Sequence, residues 1–557
     1  MPRTRTDQNP TVPWWRSAVI YQVYIRSFAD GNGDGIGDIA GLRARLPYLK
    51  ELGIDAVWIN PWYPSPMADG GYDVADYRGI DPSFGSLSDA EEMIAEAHAL
   101  DMRVILDIVP NHTSNEHPWF LEALAAPPGS PERERFVFRD GKGPGGMLPP
   151  NDWRSRFGGR AWTRTTGPDG NPGQWYLHLF AAEQPDLNWS SREVRAEFES
   201  VLRFWFDRGV DGFRIDVAHG LAKDPALPDL GIADDLLFDT DRHRDDHPHW
   251  DQDAVHEIYQ TWRKIADSYA DDRVFVAEAH VRPDRLPNYL RPDELHTAFN
   301  FAFLKSSWEP GALREVIDGS VTALAPVGAP ATWVLSNHDV PRHVTRYGRG
   351  ETRTQERDLD GGPCDRELGT RRARAAALLM LALPGSAYLY QGEELGLWEV
   401  EDIPQELLRD PTWERSNHTV RGRDGCRVPI PWSGVEAPFG FGPRGSKPWL
   451  PQPAEWRQLT AQQQSGTPGS TLELYRAALR LRREQPSFRG DSLRWLDAPE
   501  GVLAFERGPD LRCAVNLSAE PFSLPRNWGV LLASDRLDGG RLPSDTTVWL
   551  WGGGARA

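Results

Sequence analysis

Cysteine is scarce. The 557 residues include three, Cys364, Cys426 and Cys513, scattered and without Cys-x-x-Cys spacing. That leaves neither a disulfide framework nor a zinc ribbon to organise the chain. Long apolar runs are missing as well, and mean hydropathy is −0.54, so no membrane-spanning helix is expected. The opening MPRTRTDQNPTVPWW lacks the apolar segment of a signal peptide, which leads to the expectation of a cytoplasmic protein. Basic charge is in deficit, with 62 Lys+Arg against 81 Asp+Glu and a net charge of −19. A protein that neutralises phosphates needs the opposite sign, so neither nucleic acid nor an anionic membrane is an expected partner. The sequence gives no sign of an oligomeric state.

What the chain does have is tryptophan, 23 in all, whose flat apolar faces suit sugar rings and ordinary cores alike. Short runs rich in Val, Ile, Tyr and Phe alternate with stretches of helical period, the pattern of repeated βα units. There are eight such runs: AVIYQVYI, DAVWIN, RVILDIV, GVDGFRID, RVFVAEA, ELHTAFNF, ATWVLSN and SAYLYQG. Eight units are what a (β/α)₈ TIM barrel requires. An open doubly wound sheet is the alternative, but no Gly-rich phosphate fingerprint follows the first run. After the third run, a stretch dense in Pro, Gly, Arg and Trp interrupts the period, as an inserted subdomain would. A second such insertion spans about 397–462, and the last helical stretch is STLELYRAALRLRREQ. The tail reads as short strands between turns, a small antiparallel β-domain. The expected organisation is a barrel in two parts, 1–111 and 186–486, an inserted subdomain at 112–185 and a C-terminal β-domain at 487–557.

Barrel active sites lie at the C-terminal ends of the strands, and these ends are polar. The third run ends in Asp107, followed by Asn111 and His112. The fourth ends in Arg214 and Asp216, the fifth in Glu278 and His280, and the seventh in Asn337, His338 and Asp339. Singly, each has an ordinary structural explanation, but carboxylates converging at one rim from several strands do not. Such groups push one another's pKa values apart, which suits glycoside hydrolysis, where one carboxyl gives a proton and another attacks or stabilises an oxocarbenium-like centre. Arg214, two positions before Asp216, faces the same side of its strand, so its charge is expected to keep Asp216 ionised as a nucleophile.

DIVPNHTS (107–114), DGFRIDVAH (211–219), VAEAH (276–280) and SNHD (336–339) resemble the four ordered signatures of the α-amylase superfamily, glycoside hydrolase family 13. QPDLN (184–188) resembles the further signature of its α-glucosidase and oligo-1,6-glucosidase branch. The resemblance implies Asp216 as nucleophile, Glu278 as general acid/base and Asp339 as the third carboxylate. His112, Arg214 and His338 would surround the same glucose, with Asp69, Tyr72 and Phe180 forming the pocket floor and wall. The arginine partner of Asp69 would lie in GRDGCRVPIPW: Arg427, preceding a Thr-Pro-Met-Gln-Trp-like stretch, is the expected one and Arg423 the rival. The activity implied is an exo-acting, retaining α-glucosidase acting on short oligosaccharides or glucosides, with a transglucosylase or sugar isomerase as the alternative. A non-catalytic heavy-chain-like subunit is disfavoured, because such chains have lost these carboxylates. Val217, just after the nucleophile, accompanies α-1,6 preference in similar family members, although Ala218-His219-Gly220 departs from the α-1,6 pattern.

A second constellation is DGNGDGIGD (30–38). Asp30, Asn32, Asp34 and Asp38 alternate like the first part of an EF-hand loop, yet Gly41 stands where the bidentate Glu should be. The family resemblance implies a structural Ca²⁺ here, with the Ile36 carbonyl as a further ligand.

Overall fold

The computed structural model describes residues 12–167, 170–231, 247–350 and 363–552. All eight apolar runs form parallel strands: Val19–Val23, Ala56–Ile59, Arg103–Ile108, Gly212–Ile215, Val274–Ala277, Thr297–Ala298, Thr332–Val334 and Ser386–Tyr390. They pair in cyclic order, the first strand lying between the second and the eighth, with the sixth and seventh at the two ends of a nearly closed ring. Alternation along each strand separates two cores. Ile20, Trp58, Ile105, Val276, Val334 and Tyr388 fill the barrel interior. Their neighbours Tyr21, Val57, Leu106, Phe213 and Phe275 pack outward in the core that the helices share. Burial on both faces explains why the strands read as unbroken apolar runs.

The helices carry their own start signals. Ser86 and Asp89 form a capping box at the start of Leu87–Ala99, and the Asp38, Asp365 and Ser470 side chains cap Ile39–Leu52, Arg366–Ala382 and Thr471–Glu484. Each cap takes up an amide that has no partner within the helix.

Between the third and fourth barrel strands the chain builds a three-stranded antiparallel sheet from Phe138–Arg139, Trp162–Thr166 and Pro172–Leu177. This insertion has its own core, including Trp153, Trp162, Trp175 and Leu177. Beyond the last helix, five strands between Arg494 and Trp551 form an antiparallel sheet. It docks on helix Arg366–Ala382, where Trp549 Nε1 donates to the Leu378 carbonyl at 3.0 Å and Thr547 Oγ1 to that of Ala375 at 2.8 Å. Among the described residues, no helix is long and apolar enough to cross a membrane.

Candidate active site

Strand register places the first charges. Asp107 on the third strand sits opposite Arg214 on the fourth. Arg214 Nη1 donates to Asp107 Oδ1 at 2.8 Å and to Asp216 Oδ1 at 2.7 Å, while Nη2 lies 2.8 Å from Glu278 Oε2. One buried guanidinium therefore holds three carboxyl groups from three adjacent strands. The second oxygen of Asp107 accepts from Tyr72 Oη at 2.9 Å and Trp58 Nε1 at 3.2 Å.

These groups set one another's protonation. Burial pushes Asp107 up to about 6 against the pull of Arg214. Burial also drives Asp216 well above the usual carboxylate range, outweighing Arg214, with the charges of Glu278 and Asp107 adding to the rise. At Glu278 burial acts in the same sense, but Arg214, His280 and the Val217 amide together hold it well below. The pull of Arg214 toward an ionised Asp216 is thus opposed by burial and by the charges of Glu278 and Asp107, so three carboxyls compete around one cation. Val217 donates its amide to Glu278 Oε2 at 3.1 Å from a left-handed backbone, φ 46°. That conformation is strained for a β-branched residue.

On the other side of the pocket, Tyr72 stacks on His338 with ring centroids 5.3 Å apart and planes 8° apart. Burial lowers His338 to about 3, so its ring is neutral. Gln22 Nε2, which can only donate, lies 2.7 Å from His338 Nδ1. The proton is thereby fixed on Nε2, 3.2 Å from Asp339 Oδ2. Asp339 Oδ1 accepts from both Arg423 Nη1 and Arg427 Nη2 at 3.1 Å.

Arg423 Nη2 donates to Asp69 Oδ1 at 2.7 Å, so the acid–arginine pair at the pocket floor is Asp69–Arg423. The expected Asp69–Arg427 pairing is corrected: Arg427 turns instead to Asp339 and, through Nε, to the His338 carbonyl at 2.9 Å. The physical reason is local. Arg423 precedes and Arg427 ends the 3₁₀ turn Asp424–Arg427, so the two meet at Asp339 but only Arg423 reaches on to Asp69. Asp69 Oδ2 accepts from Gln184 Nε2 at 3.1 Å, the same nitrogen lies 3.0 Å from His112 Nε2, and the His112 ring meets Phe180 at 5.1 Å. Asp69, Tyr72, His112, Phe180, Arg214, Asp216, Glu278, His338, Asp339 and Arg427 are joined in one contact network.

Several members of that network had no role in the sequence reading. Gln22, which also donates to Asn60 Oδ1 at 3.0 Å, stands as a lone polar residue in an apolar run, and that oddity was its signal. Gln184 opens the QPDLN motif. Asp410, buried beside both arginines, carries no sequence signal.

The DGNGDGIGD loop is separate. Asp38 accepts the Gly31, Asn32 and Gly41 amides. Asp30 accepts those of Gly33 and Gly35, while Asp34 accepts the amide of Ile36 and the side-chain amide of Asn32. Among the described residues no three His, Cys, Asp or Glu side chains are gathered as a metal cluster. The donor set is nonetheless all hard oxygen, and burial pushes Asp38 up despite its amides, with the nearby charge of Asp30 adding to the rise. That chemistry fits a hard divalent cation.

Residues 22–491 match the alpha amylase catalytic domain, and residues 491–549 a domain of unknown function (DUF3459). The chain is 36% identical over 526 residues to a probable alpha-glucosidase of Rhizobium meliloti (strain 1021), covering 92% of this chain and 90% of that one. It is 33% identical to an oligo-1,6-glucosidase of Heyndrickxia coagulans, over 94% and 96% of the two chains. Among solved structures it resembles the alpha-glucosyl transfer enzyme XgtA, with a TM-score of 0.83 and 35% identity over 97% of this chain and 100% of that one.

Proposed function

From the premise that this chain belongs to the α-amylase family, we propose that it is a retaining α-glucosidase removing terminal glucose from short α-glucosides. The observation that carries this reading is Arg214 holding Asp216 and Glu278 at 2.7 and 2.8 Å. Two carboxyls gathered on one guanidinium suit double displacement, in which no water stands between them. Asp216 attacks the anomeric carbon as Glu278 protonates the departing oxygen, and a covalent glucosyl ester forms. Glu278 then takes a proton from water, which attacks the same carbon and frees Asp216. For the first step the shared proton must lie on Glu278, leaving Asp216 ionised. Positive charge developing on the sugar beside Asp216 favours that distribution. Asp339, His338 and His112 present acceptors and neutral donors to the sugar hydroxyls. The buried Asp69–Arg423 pair closes the floor, which supports exo rather than endo action.

Glucose release from p-nitrophenyl-α-glucoside, maltose, isomaltose and sucrose tests the reading, with proton NMR of the first-formed sugar. α-Glucose supports it, and β-glucose or no release overturns it. Likeness to an alpha-glucosyl transfer enzyme favours a second reading, transfer of the glucosyl group to a sugar. Product analysis at high sugar concentration separates the two.

The reading extends to the DGNGDGIGD loop, which would take a structural Ca²⁺ on Asp30, Asn32, Asp34, Asp38 and the Ile36 carbonyl. The cation would stiffen the loop after the first strand, and no catalytic group belongs to that set. A cytoplasmic location also belongs to this proposal, supported by three cysteines that are all free thiols.

A further inference from the structure

One buried carboxylate outside the proposed sugar-binding groups lies against both arginines of the site. Asp410 caps the short helix Pro411–Arg415, its Oδ1 accepting from the Thr412 amide at 2.8 Å. Capping occupies that oxygen alone. Oδ2 accepts from the Arg423 amide at 3.1 Å and from Arg423 Nε at 2.5 Å, and lies 3.8 Å from Arg427 Nη1. Its side chain has no exposed surface. Burial would push the carboxyl up, but Arg423 and Arg427 hold it far below the usual range, so it is a permanent anion.

The fit around it is close. At Gly422, φ 74°, an added Cβ would lie 2.5 Å from Asp410 Cγ, so that turn needs a glycine. Asp424, the other charged group packed here, accepts the Asp410 and Arg409 amides at 3.0 and 2.5 Å and pins the backbone. With Nε of Arg423 fixed on Asp410, Nη1 and Nη2 are left for Asp339 and Asp69. Counted together, the four acids Asp69, Asp339, Asp410 and Asp424 outnumber Arg423 and Arg427 by two charges. The excess leaves the two pocket carboxylates strong acceptors for sugar hydroxyls and favours a positive transition state.

We propose that Asp410 is a positioning residue for the glucoside reaction, fixing the two arginines so that Asp69 and Asp339 hold the sugar while the pocket keeps its net negative charge. The inference rests on the function proposed above. Asp410→Asn keeps size and acceptor capacity and removes the charge. It is expected to lower kcat/KM for p-nitrophenyl-α-glucoside at least tenfold. It should also move the alkaline limb of kcat/KM to lower pH, because a buried anion that helps the Asp216–Glu278 pair keep the proton it shares is gone. A scaffold role alone would lower the melting temperature and leave that limb in place, so an unmoved limb overturns the proposal. Asp410→Ser takes the same reading if the asparagine variant does not fold. If the unmodified protein releases no glucose, the functional reading fails first. Positioning is then read from a crystal structure of the variant: Arg423 drawn off Asp69 supports it, and Arg423 still on Asp69 overturns it.

Discussion

Asp69 and Arg423 lie 354 positions apart and meet at 2.7 Å with less than a tenth of either side chain exposed. The first belongs to the loop after the second barrel strand, the second to the long insertion after the eighth. In the proposed reading their contact closes one end of the sugar pocket, and breaking it leaves a buried charge without its partner, a costly state.

Arg423→Ala is therefore expected to raise KM for p-nitrophenyl-α-glucoside more than tenfold. Arg427→Ala, which bears on Asp339 and the His338 carbonyl, should act mainly on kcat. Uniform binding losses appear in KM and transition-state losses in kcat. Steady-state kinetics on both variants check the division, and equal KM effects would show that both arginines serve the floor.

Asp216→Asn and Glu278→Gln should each cost at least about 10²-fold in kcat, since general acid–base catalysis contributes at least that much. Each keeps the shape of a side chain held by Arg214, so circular dichroism should stay native. A variant keeping more than a tenth of the activity removes that residue from the proposed chemistry.

Stability should fall as pH rises through neutrality. Burial raises both Glu393 and Glu399 to about 8. An acid whose folded pKa is raised holds a proton that the unfolded chain has already released. The stability it contributes is full below about 4.5, the ordinary glutamate value, and is lost as pH climbs to about 8. Glu399→Gln never ionises and still accepts the Arg342 amide, so its melting temperature should decline less between pH 5 and pH 8, by roughly 2–4 °C. Parallel pH–melting curves for parent and variant decide it.

If the DGNGDGIGD loop takes Ca²⁺, chelation lowers the melting temperature and added Ca²⁺ restores it, because a ligand of the native state alone stabilises by mass action. Asp34→Ala should abolish the response. A melting temperature indifferent to both treatments, with no ion found by elemental analysis, would reduce the loop to a turn.

Val217 has its amide on the acid and a branched side chain that is nearly buried. Val217→Thr keeps the shape and adds a hydroxyl, so the ratio of kcat/KM for isomaltose over maltose should fall, by severalfold rather than absolutely, as one wall contact is worth about 1–3 kcal/mol. An unchanged ratio on both proteins places linkage recognition elsewhere, with the insertion after the third strand the next segment to vary.

The amino-acid sequence by itself determined the barrel and the three carboxylates Asp216, Glu278 and Asp339. Strands buried on both faces must be short and apolar, and their polar ends stand out against that background, so local pattern sufficed for both. Only the tertiary structure decided which arginine meets Asp69, because Arg423 and Arg427 are four residues apart in one irregular turn whose direction no periodicity reveals. It also decided that Asp410, Gln22 and Gln184 support the site, since their importance lies wholly in partners distant along the chain. The competition of the carboxyls for a proton belongs to the same class. It depends on burial and on the sum of charges that Asp107, Arg214 and Glu278 bring from three adjacent strands, a quantity that exists only once those strands are side by side.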